Sequence, residues 1–116
     1  MTNVRQQKVA SLLQQALSEV FRQDWQHPAG PALLTISEVR MSPDLSIARI
    51  YLSLFKVSDP AAYLDQIKEH QSEIRMLLGR RIRNRVRRIP ELQFVLDKTL
   101  DHVFHLEELF KQIKKS

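Results

Sequence analysis

From Val4 to Phe21 apolar residues return every three or four positions: Val9, Leu12, Leu13, Ala16, Leu17, Val20 and Phe21. Arg5, Lys8, Gln15 and Arg22 fall mainly between them. That period predicts a helix with one face to bury. Thr2 or Asn3 can cap it by accepting a hydrogen bond from an amide of the first turn. The stretch HPAGP (27–31) stops it, because two prolines and a glycine cannot carry a helix on.

The period then shortens to two. LLTISEVRM (33–41) is rich in β-branched and aliphatic residues. Its apolar positions change phase between Ile36 and Val39, which predicts a bulge near Ser37 and Glu38. IARIYLSLF (47–55) alternates more cleanly, with Ala48, Ile50, Leu52 and Leu54 on one face. Between them SPDLS (42–46) carries turn chemistry: Pro43 presets φ, and Asp44 can accept from its own backbone. An antiparallel hairpin follows.

Helical spacing resumes after Ser58-Asp59-Pro60, where Ser58 or Asp59 serves as N-cap and proline occupies the first turn. This helix is expected to run through Tyr63, Leu64 and Ile67 to about His70. Ser72 reads as a second N-cap, followed by a helix from Glu73 to about Arg85, with a kink or break between the two. Pro90 closes the region, and LQFVL (92–96) is a short strand. Finally DHVFHLEELFKQIKK (101–115) is helical, with Leu106, Leu109, Phe110 and Ile113 as its apolar stripe. The predicted order is α-β-β-α-α-β with an added C-terminal helix. It makes an α+β fold with a three-stranded sheet, one domain over residues 1–116.

Charge changes the picture at one place. Residues 79–90, GRRIRNRVRRIP, hold six arginines in twelve positions and no acid. From Ile74 to Pro90 there are seven arginines, whereas from Glu91 to Phe110 five acids stand against Lys98. Ile74, Leu77, Leu78, Ile82, Val86 and Ile89 recur at helical spacing, so the segment has an apolar side to dock and is not a disordered basic tail. Arg80, Arg83 and Arg87 gather on the opposite pole. Arg81 and Arg85 lie nearer the apolar side: either they snorkel to the rim, or the helix ends near Asn84. We expect the ending, since asparagine tolerates a left-handed cap. Like charges at this spacing repel by roughly a few tenths of a kcal/mol per pair. Nothing within the segment compensates them, and arginine is suited to bidentate contact with phosphate, so nucleic-acid binding is favoured over mere solubility.

Composition narrows the classes. The chain has 116 residues, 43% hydrophobic and 27% charged, with a formal net charge of +5, which suits a folded domain with an anionic partner. It has no cysteine, which excludes a disulfide framework and a thiolate metal site. No segment approaches the roughly 20 apolar residues of a membrane span, and the N-terminal stretch lacks the apolar core of a secretory signal. A soluble cytoplasmic protein, with no membrane partner, is the expectation. Only Gly30 and Gly79 are present, so no P-loop, dinucleotide fingerprint or GxxG clamp can form. His102 and His105 share a helix face without a third ligand of obvious spacing, and no metal site is expected. His27 and His70 read as surface or capping residues, Asp44 and Asp97 as turn residues. Phe94, Tyr51 and Tyr63 read as packing residues, and Trp25 as a cap over the core. No catalytic constellation and no cofactor is predicted.

Three runs together resemble the ribosome-binding factor A family, bacterial small-subunit assembly factors. Val39-Arg40-Met41-Ser42-Pro43-Asp44-Leu45 with Ala48-Arg49-Ile50-Tyr51 resembles the family's V-x-M-S-x-D-L-x-x-A-x-V-Y. Ile74-Arg75 with Leu78-Gly79-Arg80-Arg81-Ile82-Arg83 resembles its third-helix segment. Pro90-Glu91-Leu92-Gln93-Phe94, then Asp97, resembles its P-E-L-x-F-x-x-D. The resemblance implies a type II KH-like fold without the GxxG loop. It also implies binding to the immature 30S small ribosomal subunit through precursor 16S rRNA, support of late maturation of the rRNA 5′ end, and a part in growth in the cold. Two departures stand out. His70-Gln71-Ser72 replaces the family's Ala-x-Gly at the bend, and the stretch from Arg85 to Pro90 is about two residues longer than in many members.

The leading expectation is a monomeric, non-catalytic RNA-binding assembly factor. Arg80, Arg81 and Arg83, supported by Arg75 and Arg85 and followed by Arg87 and Arg88, would neutralise rRNA phosphates; Arg5 and Lys8 would extend the patch. The alternative is a protein-interaction module docking through the C-terminal helix and its Leu106/Phe110 stripe.

Overall fold

The first helix, α1 (Val4–Glu19), is capped by Asn3, whose side chain accepts the Gln6 amide at 2.8 Å while Gln6 Oε1 accepts the Asn3 amide at 3.0 Å. This reciprocal box satisfies two amides that a helix start otherwise leaves without partners. The computed structural model describes residues 3–30 and 33–97. Thr2, the expected C-terminal helix with its apolar stripe, and His102 and His105 lie outside the described residues.

The helix does not stop at Phe21 as expected. A π-helical turn (Val20–Asp24) carries it further, and the Trp25 amide closes it on Val20 O at 2.8 Å. The wider turn lets Val20 and Trp25, five residues apart, both face the core. Trp25 then leaves in extended conformation, before the prolines are reached.

β1 (Leu33–Met41) and β2 (Ile47–Phe55) form the expected hairpin, and both strands keep the expected bounds. The register slips between Ile36 and Glu38, so Ser37 is the extra residue. The slip keeps Ile36, Val39 and Met41 all on the buried face. Ser37 Oγ donates to Asp97 Oδ2 at 2.6 Å, tying the bulge to the chain just past the third strand. In the turn Leu45 takes φ 63°, and Asp44 Oδ1 accepts from Ser46 Oγ at 2.7 Å, Ser42 Oγ at 2.8 Å and the Ser46 amide at 3.1 Å.

Asp59 caps α2 (Pro60–Glu69) through the Ala62 amide, with Pro60 in the first position. α3 (Gln71–Ile82) follows after His70 alone. The His70 amide donates to Ile67 O and Lys68 O while His70 O accepts the Ile74 amide, so one residue ends one helix and begins the next. Ser72 is therefore inside α3 and not its N-cap. At the other end α3 stops at Ile82, close to the expected ending near Asn84, and the Arg85 amide closes a tight turn on Ile82 O at 2.8 Å. Arg83 caps it in right-handed conformation, so Asn84 does not turn left-handed.

β3 (Glu91–Leu96) pairs parallel to β2, giving a mixed sheet in the order β1-β2-β3. The order α-β-β-α-α-β is the one expected of a type II KH-like fold. Ala48, Ile50, Leu52 and Leu54 of β2 and Leu92 and Phe94 of β3 enter one core with Leu13, Leu17, Ile67, Ile74 and Leu78 of the helices. Polar groups join α1 to the sheet: Gln6 Nε2 donates to Met41 O and Gln14 Nε2 to Ile36 O, each at 3.0 Å. α1 thereby satisfies carbonyls of β1, an edge strand. No helix among the described residues is long and apolar enough to cross a membrane.

Candidate nucleic-acid interface

α3 presents its arginines by burying the opposite side. Ile74, Leu78 and Ile82 are inside the core, leaving Arg80 and Arg83 exposed. Beyond the helix end, Val86 and Ile89 are half-buried against the core and Pro90 is fully buried. Arg85, Arg87 and Arg88 therefore project from an anchored segment, and all three are exposed. This segment returns over Gly79, where a Cβ would lie an ordinary 3.5 Å from Ile89 Cγ1.

Topology brings a fourth arginine to them. Arg5 of α1 joins Arg85, Arg87 and Arg88 around an open cleft of about 460 Å³, completed by Val9, Asp44, Leu45 and Val86. None of these four guanidinium groups has an ion-pair partner among the described residues. Asp44 forms no ion pair with them, yet as an ionised carboxylate in the same cleft it offsets part of their charge. Its carboxylate is occupied by the two serine hydroxyls, and those bonds, Ser46 first, hold its pKa down to about 2. Lys8 is exposed one turn along α1, outside the lining of the cleft.

Arg75 and Arg81 are turned to the protein itself. Arg75 donates to Pro90 O (Nε, 3.0 Å) and Ile89 O (Nη2, 2.6 Å), stapling α3 to the approach of β3. Arg81 donates to Asp24 from Nε (2.6 Å) and Nη2 (2.9 Å), to Glu19 from Nη1 (2.7 Å) and to Gln23 from Nη2 (3.2 Å). The hydrogen bond from Arg81 lowers the Asp24 pKa, and the same bond raises that of Arg81. The acid-free run is thus compensated at one position, from residues 57 and 62 positions away in sequence.

His27 is another residue whose setting differs from expectation. It is buried, not on the surface, because its ring stacks on Tyr63 with centroids 3.4 Å apart. Nδ1 accepts the Ala29 amide at 3.0 Å, which leaves Nε2 to donate to Tyr63 O at 2.9 Å. Burial raises the Tyr63 pKa. Trp25 covers this end of the core as expected, edge-on to Phe21 and His27. His70 is a capping residue, its ring bonded to Gln66 O at 2.8 Å.

Residues 5–110 match the family model of ribosome-binding factor A. The ribosome-binding factor A of Cytophaga hutchinsonii is 43% identical over 113 residues, covering 97% of this chain and 85% of that protein. That of Chlorobium chlorochromatii is 41% identical over 113 residues, covering 97% and 89%. The crystal structure of ribosome-binding factor A from Thermus thermophilus aligns with a TM-score of 0.63 at 26% identity, covering 78% of this chain and 94% of that one. A homology model of the Thermus thermophilus protein, fitted into a cryo-EM map of a 30S–RbfA complex, aligns with a TM-score of 0.62 at 28% identity and covers 76% and 90%.

Proposed function

This chain belongs to the ribosome-binding factor A family, and from that premise we propose that it is a non-catalytic assembly factor acting on the unfinished small ribosomal subunit. It docks by laying its basic end on small-subunit rRNA. The observation that carries this reading is the cleft in which Arg5, Arg85, Arg87 and Arg88 converge without ion-pair partners among the described residues. Four guanidinium groups around one space outnumber the Asp44 carboxylate that shares it, and phosphate is the further anion their planar donors fit. Arg80 and Arg83 continue the surface. Arg75 and Arg81 support it from behind by fixing where the segment runs.

Such contacts are largely blind to base sequence, so selection of the site comes from the shape of folded rRNA and of the subunit. The relative fitted into a 30S complex supports the choice of subunit. Within this reading the protein works in the cytoplasm on precursor 16S rRNA, assists late maturation of the 5′ end and supports growth in the cold.

Co-sedimentation with precursor and mature small subunits over a salt series tests the proposal. Binding should favour the precursor and weaken steeply with salt, each phosphate contact contributing a slope of roughly 0.7 to 0.9 in log K against log salt. Replacing Arg85, Arg87 and Arg88 by glutamine should reduce that slope and leave 5′-extended rRNA in cells that depend on the variant. Equal binding by the variant would remove the cleft from the interface. Absence of binding by the unaltered protein would end the assignment.

A further inference from the structure

The outward face of the sheet carries a second pair of arginines. Arg40 of β1 and Arg49 of β2 are direct partners in the antiparallel register. Both are exposed, and like charges directly opposite one another weaken a sheet. Glu38 compensates one of them, accepting from Arg40 Nε at 2.9 Å. The Arg40 guanidinium also lies over the Tyr51 ring, 5.5 Å from its centroid. These two contacts orient Arg40 while leaving its terminal nitrogens without a partner among the described residues. Arg49 has no ion-pair partner among them.

Between the two arginines is a hollow of about 270 Å³, which Ser42, Ile47 and Gln93 help to line. Its position relative to the cleft decides what it holds. The hairpin turn from Ser42 to Ser46 separates the two spaces: Asp44 and Leu45 line the cleft, while Ser42 and Ile47 line the hollow. The two basic surfaces therefore flank one hairpin tip.

We propose that the sheet-face hollow between Arg40 and Arg49 is a second RNA-phosphate site, so that the rRNA backbone is gripped on both sides of the β1–β2 turn. The proposal rests on the assembly-factor reading above. Phosphate bound between the pair would accept from both guanidinium groups and relieve the repulsion that Glu38, paired with Arg40 alone, leaves in the isolated protein. Gln93 beside them offers a further side-chain amide donor, while Met41 and Ile47 supply the apolar part of the lining.

The experiment compares the unaltered chain, an Arg40→Gln/Arg49→Gln variant and an Arg87→Gln/Arg88→Gln variant in binding to purified precursor small subunits over a salt series. A photoreactive residue at position 93 of the otherwise unaltered chain supplies a readout that keeps both arginines. The sheet-face variant should bind about tenfold more weakly and lose roughly 0.7 to 0.9 from its salt slope, one phosphate contact's worth. Its Tm should change little, because relief of the like-charge pair offsets loss of the exposed Arg40–Glu38 pair. The position-93 probe should cross-link to rRNA. If the sheet-face variant binds as the unaltered chain does while the cleft variant weakens, the second site is refuted and the assembly-factor reading stands. Cross-linking to a ribosomal protein instead of rRNA also refutes it. If the unaltered chain does not bind the subunit, both proposals fall together.

Discussion

Arg81 Nε lies 2.6 Å from Asp24 Oδ2, joining the last turn of α3 to the π turn that prolongs α1. Glu19 completes the grip at 2.7 Å on Nη1. A guanidinium reaches both acids because its donors diverge in one plane, whereas an ammonium is a point donor. Arg81→Gln should lower Tm by several degrees, and Arg81→Lys should restore only part of the loss. Thermal unfolding by circular dichroism measures both. The same variants should weaken binding to small subunits by less than loss of Arg87 and Arg88 does, since Arg81 acts by holding the basic segment in place.

Gln6 is buried while making three hydrogen bonds: two in the helix cap and one from Nε2 to Met41 O. Gln6→Ala removes the reciprocal cap bond and leaves a carbonyl of the edge strand without its donor. The expected destabilisation is about 1–3 kcal/mol. Urea unfolding measures it, and the m-value should not change, because the same surface is exposed on unfolding.

Gly79 stands inside α3, and its φ is not among the positive values. An added methyl would meet Ile89 Cγ1 at 3.5 Å, an ordinary contact. Gly79→Ala should therefore stabilise the protein by about 0.5–1 kcal/mol, through the lower backbone entropy of the unfolded chain. A larger residue would press on Ile89 and displace the segment bearing Arg87 and Arg88. The alanine and valine variants should accordingly change stability in opposite directions, which chemical denaturation would register.

What could be read from sequence, and what could not, divides by distance along the chain. The hairpin was legible to the residue, bulge included, because its signal is the two-residue alternation of Ala48, Ile50, Leu52 and Leu54 and its break at Ser37. The Asp59 cap was equally local. The end of α2 at His70 was legible too, but the start of α3 was not, since the shared His70 leaves Ser72 no extended position from which to cap. The π turn depends on a bond from Trp25 to Val20 that no residue type announces. The candidate site depended most on long-range placement. Arg81 looked uncompensated because Asp24 and Glu19 lie on another helix. Arg5 joins Arg85, Arg87 and Arg88 only once α1 crosses the sheet. Arg40 and Arg49 stood in plain view within the strands, but only the register makes them neighbours.

Asp44 gives the hairpin tip a defined response to acid. Its carboxylate accepts from two serine hydroxyls and one amide, and its pKa falls from the ordinary 3.8 to about 2. A carboxyl whose folded-state pKa is depressed stabilises the fold fully above its unfolded value and loses that contribution as pH falls through its folded one. The turn should thus be intact from neutral pH down to about 4 and should give up the Asp44 contribution between there and about 2. Carboxyl chemical shifts followed by NMR would locate the midpoint. An Asp44→Asn variant keeps an acceptor oxygen but cannot titrate, so its stability curve should be flatter over that window while Ser42 and Ser46 still close the turn. If the two proteins lose stability in parallel below about pH 4, the serine hydroxyls are not what holds the carboxylate ionised.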